Sequence, residues 1–174
     1  MTYKFSIKMD NNKITDALKV ALEKKLDAAL NDIADFILSE SDRILRSDDG
    51  GSFDTGFLAN SGVSDKEKFL YKEVGFGALY APFREYGSSP HFPPLDVIYS
   101  WLMRKKSDLK LTYDKKKTTK LNGKTYNAGI LKIAWAIAKN MEKKGTEPAP
   151  FLRPSFNLGK SKANEFIKKA MKKN

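Results

Sequence analysis

LYAPFREYGSSPHFPP (residues 79–94) and GTEPAPFLRPS (residues 145–155) are the stretches on which the reading of this chain turns. Prolines, one glutamate, one glycine and at least one aromatic are crowded into each. Neither holds a nucleophile beside a base, and neither holds a cluster of metal-ligating side chains. Segments of this composition build rigid surfaces. Proline fixes its own φ and restricts the residue before it, so less conformational freedom is lost when such a segment docks. Tyr, Phe and Arg are also the side chains enriched at the centres of protein interfaces. Ordinary core packing is the competing reading for the same aromatics.

Working outward, SDDGGSFDTG (47–56) reads as a loop or hinge, and Val63 with FLYKEVG (69–75) reads as strands around a Ser64–Lys68 turn. Pro93-Pro94 is suited to open a helix carrying Leu95, Ile98, Tyr99, Trp101 and Leu102. Residues 105–127 are polar and basic, and Asn122-Gly123 marks a tight turn, so a basic loop or β-hairpin is expected there. Ile130–Lys144 is apolar nearly all round, which predicts a helix buried at the centre of the fold or between subunits, with Trp135 in the core. Gly145 is placed to end it. The prolines of 148–154 predict an extended segment, with Phe151 and Leu152 exposed as an assembly surface.

At the N-terminal end, YKFSIKM (3–9) alternates as a short strand does. Ile14, Leu18, Leu22, Leu26, Ala29, Ile33, Ile37 and Ile44 then recur at helical spacing, with Thr15 or Asp16 as the cap. Asp48, Asp49, Gly50, Gly51 and Asp54 read as a solvated loop rather than a calcium site, because the register of a calcium loop is absent. Residues 160–172 read as a Lys-rich amphipathic helix. The expected fold is α+β: a small antiparallel β-sheet packed with a long N-terminal helix, two central helices and a basic C-terminal helix. The expected organisation is one domain over 1–174, with the N-terminal strand and helix in 1–54, a core in 55–155 containing the basic segment 105–127, and the C-terminal helix in 156–174.

The 174 residues are enough to bury a substantial core. There is no Cys and a single His, His91, so Cys-ligated zinc and a His-based triad both lack their parts. His91 lies in the Pro-rich loop, where a backbone hydrogen bond is the expected role. No cofactor, no metal and no catalytic activity is expected. The start, MTYKFSIKMD, lacks the apolar run of a secretory signal, and no stretch approaches the roughly 18 apolar residues of a membrane span. The net charge of +11 is unevenly placed: residues 1–103 sum to −4 and residues 104–174 to +15. Lys115, Lys116, Lys117, Lys120 and Lys124, with Tyr113 and Tyr126 nearby, could face DNA. Solvated lysines on a surface are the bland alternative, and a nucleic-acid-binding module is the rival class.

Taken in order, the pieces form a pattern. Thr55-Gly56-Phe57-Leu58-Ala59-Asn60-Ser61 is followed by Tyr80-Ala81-Pro82-Phe83-Arg84-Glu85-Tyr86-Gly87. Pro93-Pro94 then precedes Trp101, and Gly145-Thr146 precedes Pro150-Phe151-Leu152-Arg153-Pro154. This order and spacing over residues 55–155 resembles the phage neck and tail-completion proteins of the HK-ninety-seven gene-product-ten-like family. The resemblance implies a virion component of a tailed bacteriophage or prophage, assembled in the host cytoplasm. It implies a ring of copies, with six-fold symmetry expected, that meets head-closure and tail-terminator proteins around the DNA passage and touches no membrane. Tyr80, Phe83, Arg84, Glu85, Tyr86, Phe92, Phe151, Leu152 and Arg153 are then the expected subunit or partner contacts, with Arg84 and Glu85 at the rim.

Overall fold

The computed structural model describes residues 1–7, 16–47 and 54–172. The fold is α+β, with a long N-terminal helix and small antiparallel sheets of three and two strands. The chain divides into two compact units rather than the one expected. Residues 86–149 form the second, inserted between the two parts of the first, residues 1–85 and 150–174.

In the first unit, Thr2–Ser6 (β1), Gly62–Lys68 (β2) and Tyr71–Phe76 (β3) pair antiparallel in the order β1-β3-β2. Tyr3 sits opposite Val74 and Phe5 opposite Lys72, so Tyr3, Phe5, Val74 and Phe76 share one face. That face meets helix Asp16–Ser47 (α1) and helix Leu152–Lys172 (α6), which lies along α1. Leu26, Ala29, Leu30, Ile33, Ala34, Ile37 and Leu45 form the buried stripe of α1, following the periodicity read from the sequence. Leu18, on the same predicted face, is exposed. Thr15, one of the two caps expected for this helix, and the acidic loop at Asp48–Gly51 lie outside the described residues. Gly159 sets the closeness of α1 and α6, because a Cβ there would stand 2.5 Å from Ile37 Cγ1.

The strand boundaries differ from expectation. Ser64–Lys68 was expected as a turn, yet β2 runs through it with a bulge between Asp65 and Lys68, and the reversal comes at Phe69-Leu70 with Leu70 at φ 58. A polar edge strand gives no alternating apolar signal, so its extent was hidden. The C-terminal helix also starts earlier. Arg153 and Pro154 stand in its first turn, where proline is tolerated because its missing N–H has no intrahelical partner.

The second unit contains helix Leu95–Lys105 (α4), a hairpin of Thr118–Leu121 (β4) and Lys124–Asn127 (β5), and helix Ala128–Lys144 (α5). Asn122 and Gly123 turn the hairpin at φ 50 and φ 76, the left-handed pair that a tight two-residue turn requires. Pro94 opens α4, and Asn127 caps α5 by accepting from the N–H groups of Gly129 (3.0 Å) and Ile130 (3.1 Å). Gly145 ends α5 with its N–H on Met141 O at 2.8 Å. The contact stripe of α5 is Ile130, Ala134 and Ala138, four residues apart, set against Ile98 and Leu102 of α4. Trp135 is therefore not in the core. It lies one position off that stripe, remains 39% exposed, and meets Phe92 with ring centroids 5.4 Å apart.

Candidate functional site

The Tyr80–Gly87 and Pro150–Pro154 segments, more than sixty residues apart in sequence, meet through one side chain. Glu85 lies on helix Ala81–Tyr86 (α3) with no exposed surface. Its Oε2 accepts the backbone N–H groups of Phe151 (2.8 Å) and Leu152 (3.0 Å), and its Oε1 accepts that of Arg153 (2.8 Å). A helix leaves four N–H groups without intrahelical acceptors. At α6 three of the four go to Glu85, and the fourth position is Pro154, which has none. The carboxylate also faces the positive end of a 21-residue helix dipole. Glu85 is thus a helix cap supplied from a distant segment, not a rim charge.

The same tie draws Phe151 and Leu152 inward. Both are fully buried, and the Phe151 ring stands edge-on to Phe76 at 4.9 Å. Their expected role as an assembly surface is overturned, because a side chain without exposed area cannot meet a partner. Arg153 points outward and stays exposed, while Arg84 is half-buried.

Other parts of the pattern are also structural. Gly56, at φ 75, precedes the short helix Phe57–Asn60 (α2), and Leu58 of α2 is buried. The Ser61 hydroxyl donates to Leu58 O (2.8 Å) and accepts from the Ala78 N–H (3.2 Å). In the second unit, Ser88 and Thr146 form a two-way backbone bridge at 3.1 and 3.2 Å. Gly87 and Gly145 flank it with positive φ, and a Cβ on either would collide with a carbonyl oxygen of the opposite strand.

What remains outside is aromatic. In the first unit Leu79 is 93% exposed and Phe83 59% exposed, and the rings of Phe57 and Tyr80, both exposed, lie 6.3 Å apart. Burial is the largest of the influences raising the Tyr80 phenol pKa, and Asp54 adds to it. In the second unit Tyr86 and Phe92 are exposed, with Lys139 Nζ 5.6 Å from the Phe92 ring centre. Tyr80, Phe83, Tyr86 and Phe92 stand at the surface as the interaction reading requires. Leu79 and Phe57 were missed, although Leu79 sits in the first quoted stretch. A leucine beside a buried alanine pair gives no sequence signal of its own exposure.

The basic hairpin is partly engaged. Lys124 Nζ lies 2.5 Å from Asp96 Oδ2, and the Tyr126 hydroxyl donates to the same carboxylate. Asp96 is held below its usual range, first by Lys124 and then by Tyr126, and the Lys124 and Tyr126 values are both raised chiefly by Asp96. Lys115, Lys116, Lys117 and Lys120 are exposed. His91 is exposed, and its Nδ1–H donates to Ser89 O at 2.8 Å, as its loop position predicted. Among the described residues no three of His, Asp and Glu converge on a metal-sized site, and no helix is long and apolar enough to cross a membrane. The chain matches no family model, no curated protein and no solved structure.

Proposed function

We propose that this protein is a structural component of a tailed bacteriophage or prophage, a neck or tail-completion protein that joins others of its kind in a ring at the head–tail junction. The observation that carries the reading is on α3. One face of this six-residue helix is pinned by Glu85 to the start of α6, while Phe83 and the preceding Leu79 and Tyr80 stand in solvent. An apolar surface held on a fixed backbone suits a permanent joint, because little ordering cost remains when a partner arrives. The spread of the pattern supports the same reading. Glu85, Ser61, Gly145 and Thr146 each make a backbone tie, and Gly87 has no room for a side chain, so the residues that carry the resemblance also carry the frame. Mechanism here is geometric: exposed surfaces of the subunit match a neighbour, the head-closure protein or the tail terminator.

The test is deletion of the gene from the genome that encodes it, followed by electron microscopy of the lysate. Filled heads and separate tails are expected, restored to joined particles by the wild-type gene. Normal numbers of joined, infectious particles from the deletion would overturn the reading.

A second contact is favoured by charge. The second unit holds 13 basic and 5 acidic residues, a net +8, against +3 for the first. This suits non-specific contact with DNA in the channel through Lys115, Lys116, Lys117 and Lys120. Such contact weakens steeply with salt because counterions are released. Binding of double-stranded DNA that is unchanged between low and high salt would remove this role.

A further inference from the structure

We infer that the exposed Trp135–Phe92 pair of the second unit, with the lysines that run along the same side of α5, is a binding surface for unpaired DNA. The inference extends the DNA contact proposed above to a second surface of the same unit, and it rests on that reading for the choice of DNA as the polymer.

Lys132, Trp135, Lys139 and Lys143 follow one another at steps of three, four and four, which keeps them on one side of α5. All four are exposed. Phe92 meets Trp135 with ring centroids 5.4 Å apart and the rings inclined at 54°, and both side chains remain about two-fifths open, at 41% and 39%. Lys139 is shared between the Phe92 ring, 5.6 Å from its centre, and Glu142 at 2.8 Å. Among the described residues no carboxylate pairs with Lys132 or Lys143, so their charges are open to an anion.

The pair is held by the backbone around it. The His91 N–H donates to Met141 O of α5 (3.2 Å), the Ser88–Thr146 bridge closes the same loop, and two prolines follow Phe92. Little ordering cost is therefore left for docking. Phe92 also lines an open cleft of about 460 Å³ with Pro93, Pro94, Leu121 and Tyr126. Through that cleft the aromatic pair is continuous with the hairpin that carries Lys120.

The chemistry of the surface selects its occupant. The lysines call for repeated negative charge, in a unit whose net charge is +8. The rings call for flat π groups set between those charges. An acidic peptide supplies only the first. A nucleic-acid strand supplies both at every residue, a phosphate for a lysine and a base for an aromatic face. The strand has to be unpaired, because bases within a duplex stack on one another and hide their faces.

Trp101 and Trp135 are the two tryptophans of the chain, which makes the test direct. Oligothymidylate added to the full chain at low salt is expected to quench tryptophan emission saturably in the wild type and in Trp101→Phe, but not in Trp135→Phe. By anisotropy of a labelled oligothymidylate, Trp135→Ala should bind about tenfold more weakly, the loss of one stacked base. Trp135→Phe should recover most of that affinity, which separates stacking from damage to the fold. Lys132→Ala and Lys143→Ala should each lower the slope of log affinity against log salt by about 0.7. Unchanged affinity in Trp135→Ala, equal losses in Trp135→Ala and Trp135→Phe, or quenching that survives in Trp135→Phe would overturn the inference. Equal quenching by poly-glutamate would overturn it in favour of an acidic protein, and tighter binding of oligouridylate in favour of RNA. Duplex binding by the hairpin lysines is measured separately and does not use Trp135, so each contact can fail without the other.

Discussion

Pro82-Phe83 and Pro150-Phe151 are the same dipeptide in two segments of similar composition, and they end in opposite places. Phe83 is 59% exposed, whereas Phe151 has no exposed surface. Neither hydrophobicity nor the preceding proline separates them. The difference is what the following backbone requires. Phe151 stands at the head of a long helix whose N–H groups need acceptors, and Glu85 meets that need from the interior side. Phe83 belongs to a single-turn helix that supplies the acceptor. One segment provides the carboxylate and keeps its aromatic outside, and the other receives it and is drawn in.

The sharpest way to break this contrast is truncation of the two rings. Phe151→Ala is expected to cost about 3–5 kcal/mol in denaturant unfolding, because it opens a cavity against Phe76. Phe83→Ala is expected to change stability by less than about 0.5 kcal/mol. Equal losses would show that the burial difference has no energetic meaning.

Glu85→Gln comes next. The amide keeps the shape and one acceptor, so the Phe151 and Leu152 bonds can remain while the Arg153 N–H faces a donor. A loss of about 1–3 kcal/mol is expected, for one buried donor left unpaired and the charge on the dipole removed. A wild-type melting temperature would mean that α6 does not depend on Glu85. Trp135→Ala is smaller still. Its ring is partly exposed and rests mainly on Phe92, so less than about 1.5 kcal/mol should be lost, well short of a buried tryptophan. A loss as large as that of Phe151→Ala would put the indole back in a core.

The mildest effect is the pH response of the second unit's hairpin. Asp96 has a lowered folded value, so its contribution is present above the unfolded value of about 3.9 and is lost as pH falls through the folded one. Lys124 has a raised value, so its contribution is full below about 10.5 and is lost as pH rises beyond that. Amide protection at residues 118–127, taken relative to the intrinsic exchange rate at each pH, should therefore fall at both extremes, and Asp96→Asn should remove both steps. Protection that stays flat with pH in the wild type would show the tie to be idle.

How much of this was legible in the sequence varied with the physics involved. The long helix, the Asn122-Gly123 turn, the Pro94 start and the Gly145 stop were readable, because each depends on local backbone preference or on a repeated apolar face. The Asn127 cap was readable and overlooked, since Asn directly precedes an apolar helix. Glu85 was not, because its partners lie 66 to 68 residues away and no local rule connects them. Trp135 failed for a related reason. An all-round apolar helix predicts full burial only when enough structure surrounds it, and α5 has α4 as its main helical partner. The exposed aromatics Tyr80, Phe83, Tyr86 and Phe92 were legible as a group. Leu79, the most exposed of the large hydrophobic residues described, was not.

The nesting of one unit inside the other also fixes an order of events on the ribosome. The sheet and α1 are complete once Phe76 has emerged, yet α6, which covers the apolar stripe of α1, is made last. The intervening stretch of nearly a hundred residues takes roughly 5–20 s at ~5–20 residues per second. Through that interval Leu30, Ile33 and Ile37 lack their lid, and Glu85 waits for the N–H groups it will cap. The nascent chain should be a client of holding chaperones until its final helix arrives, and truncations that remove α6 should aggregate rather than fold.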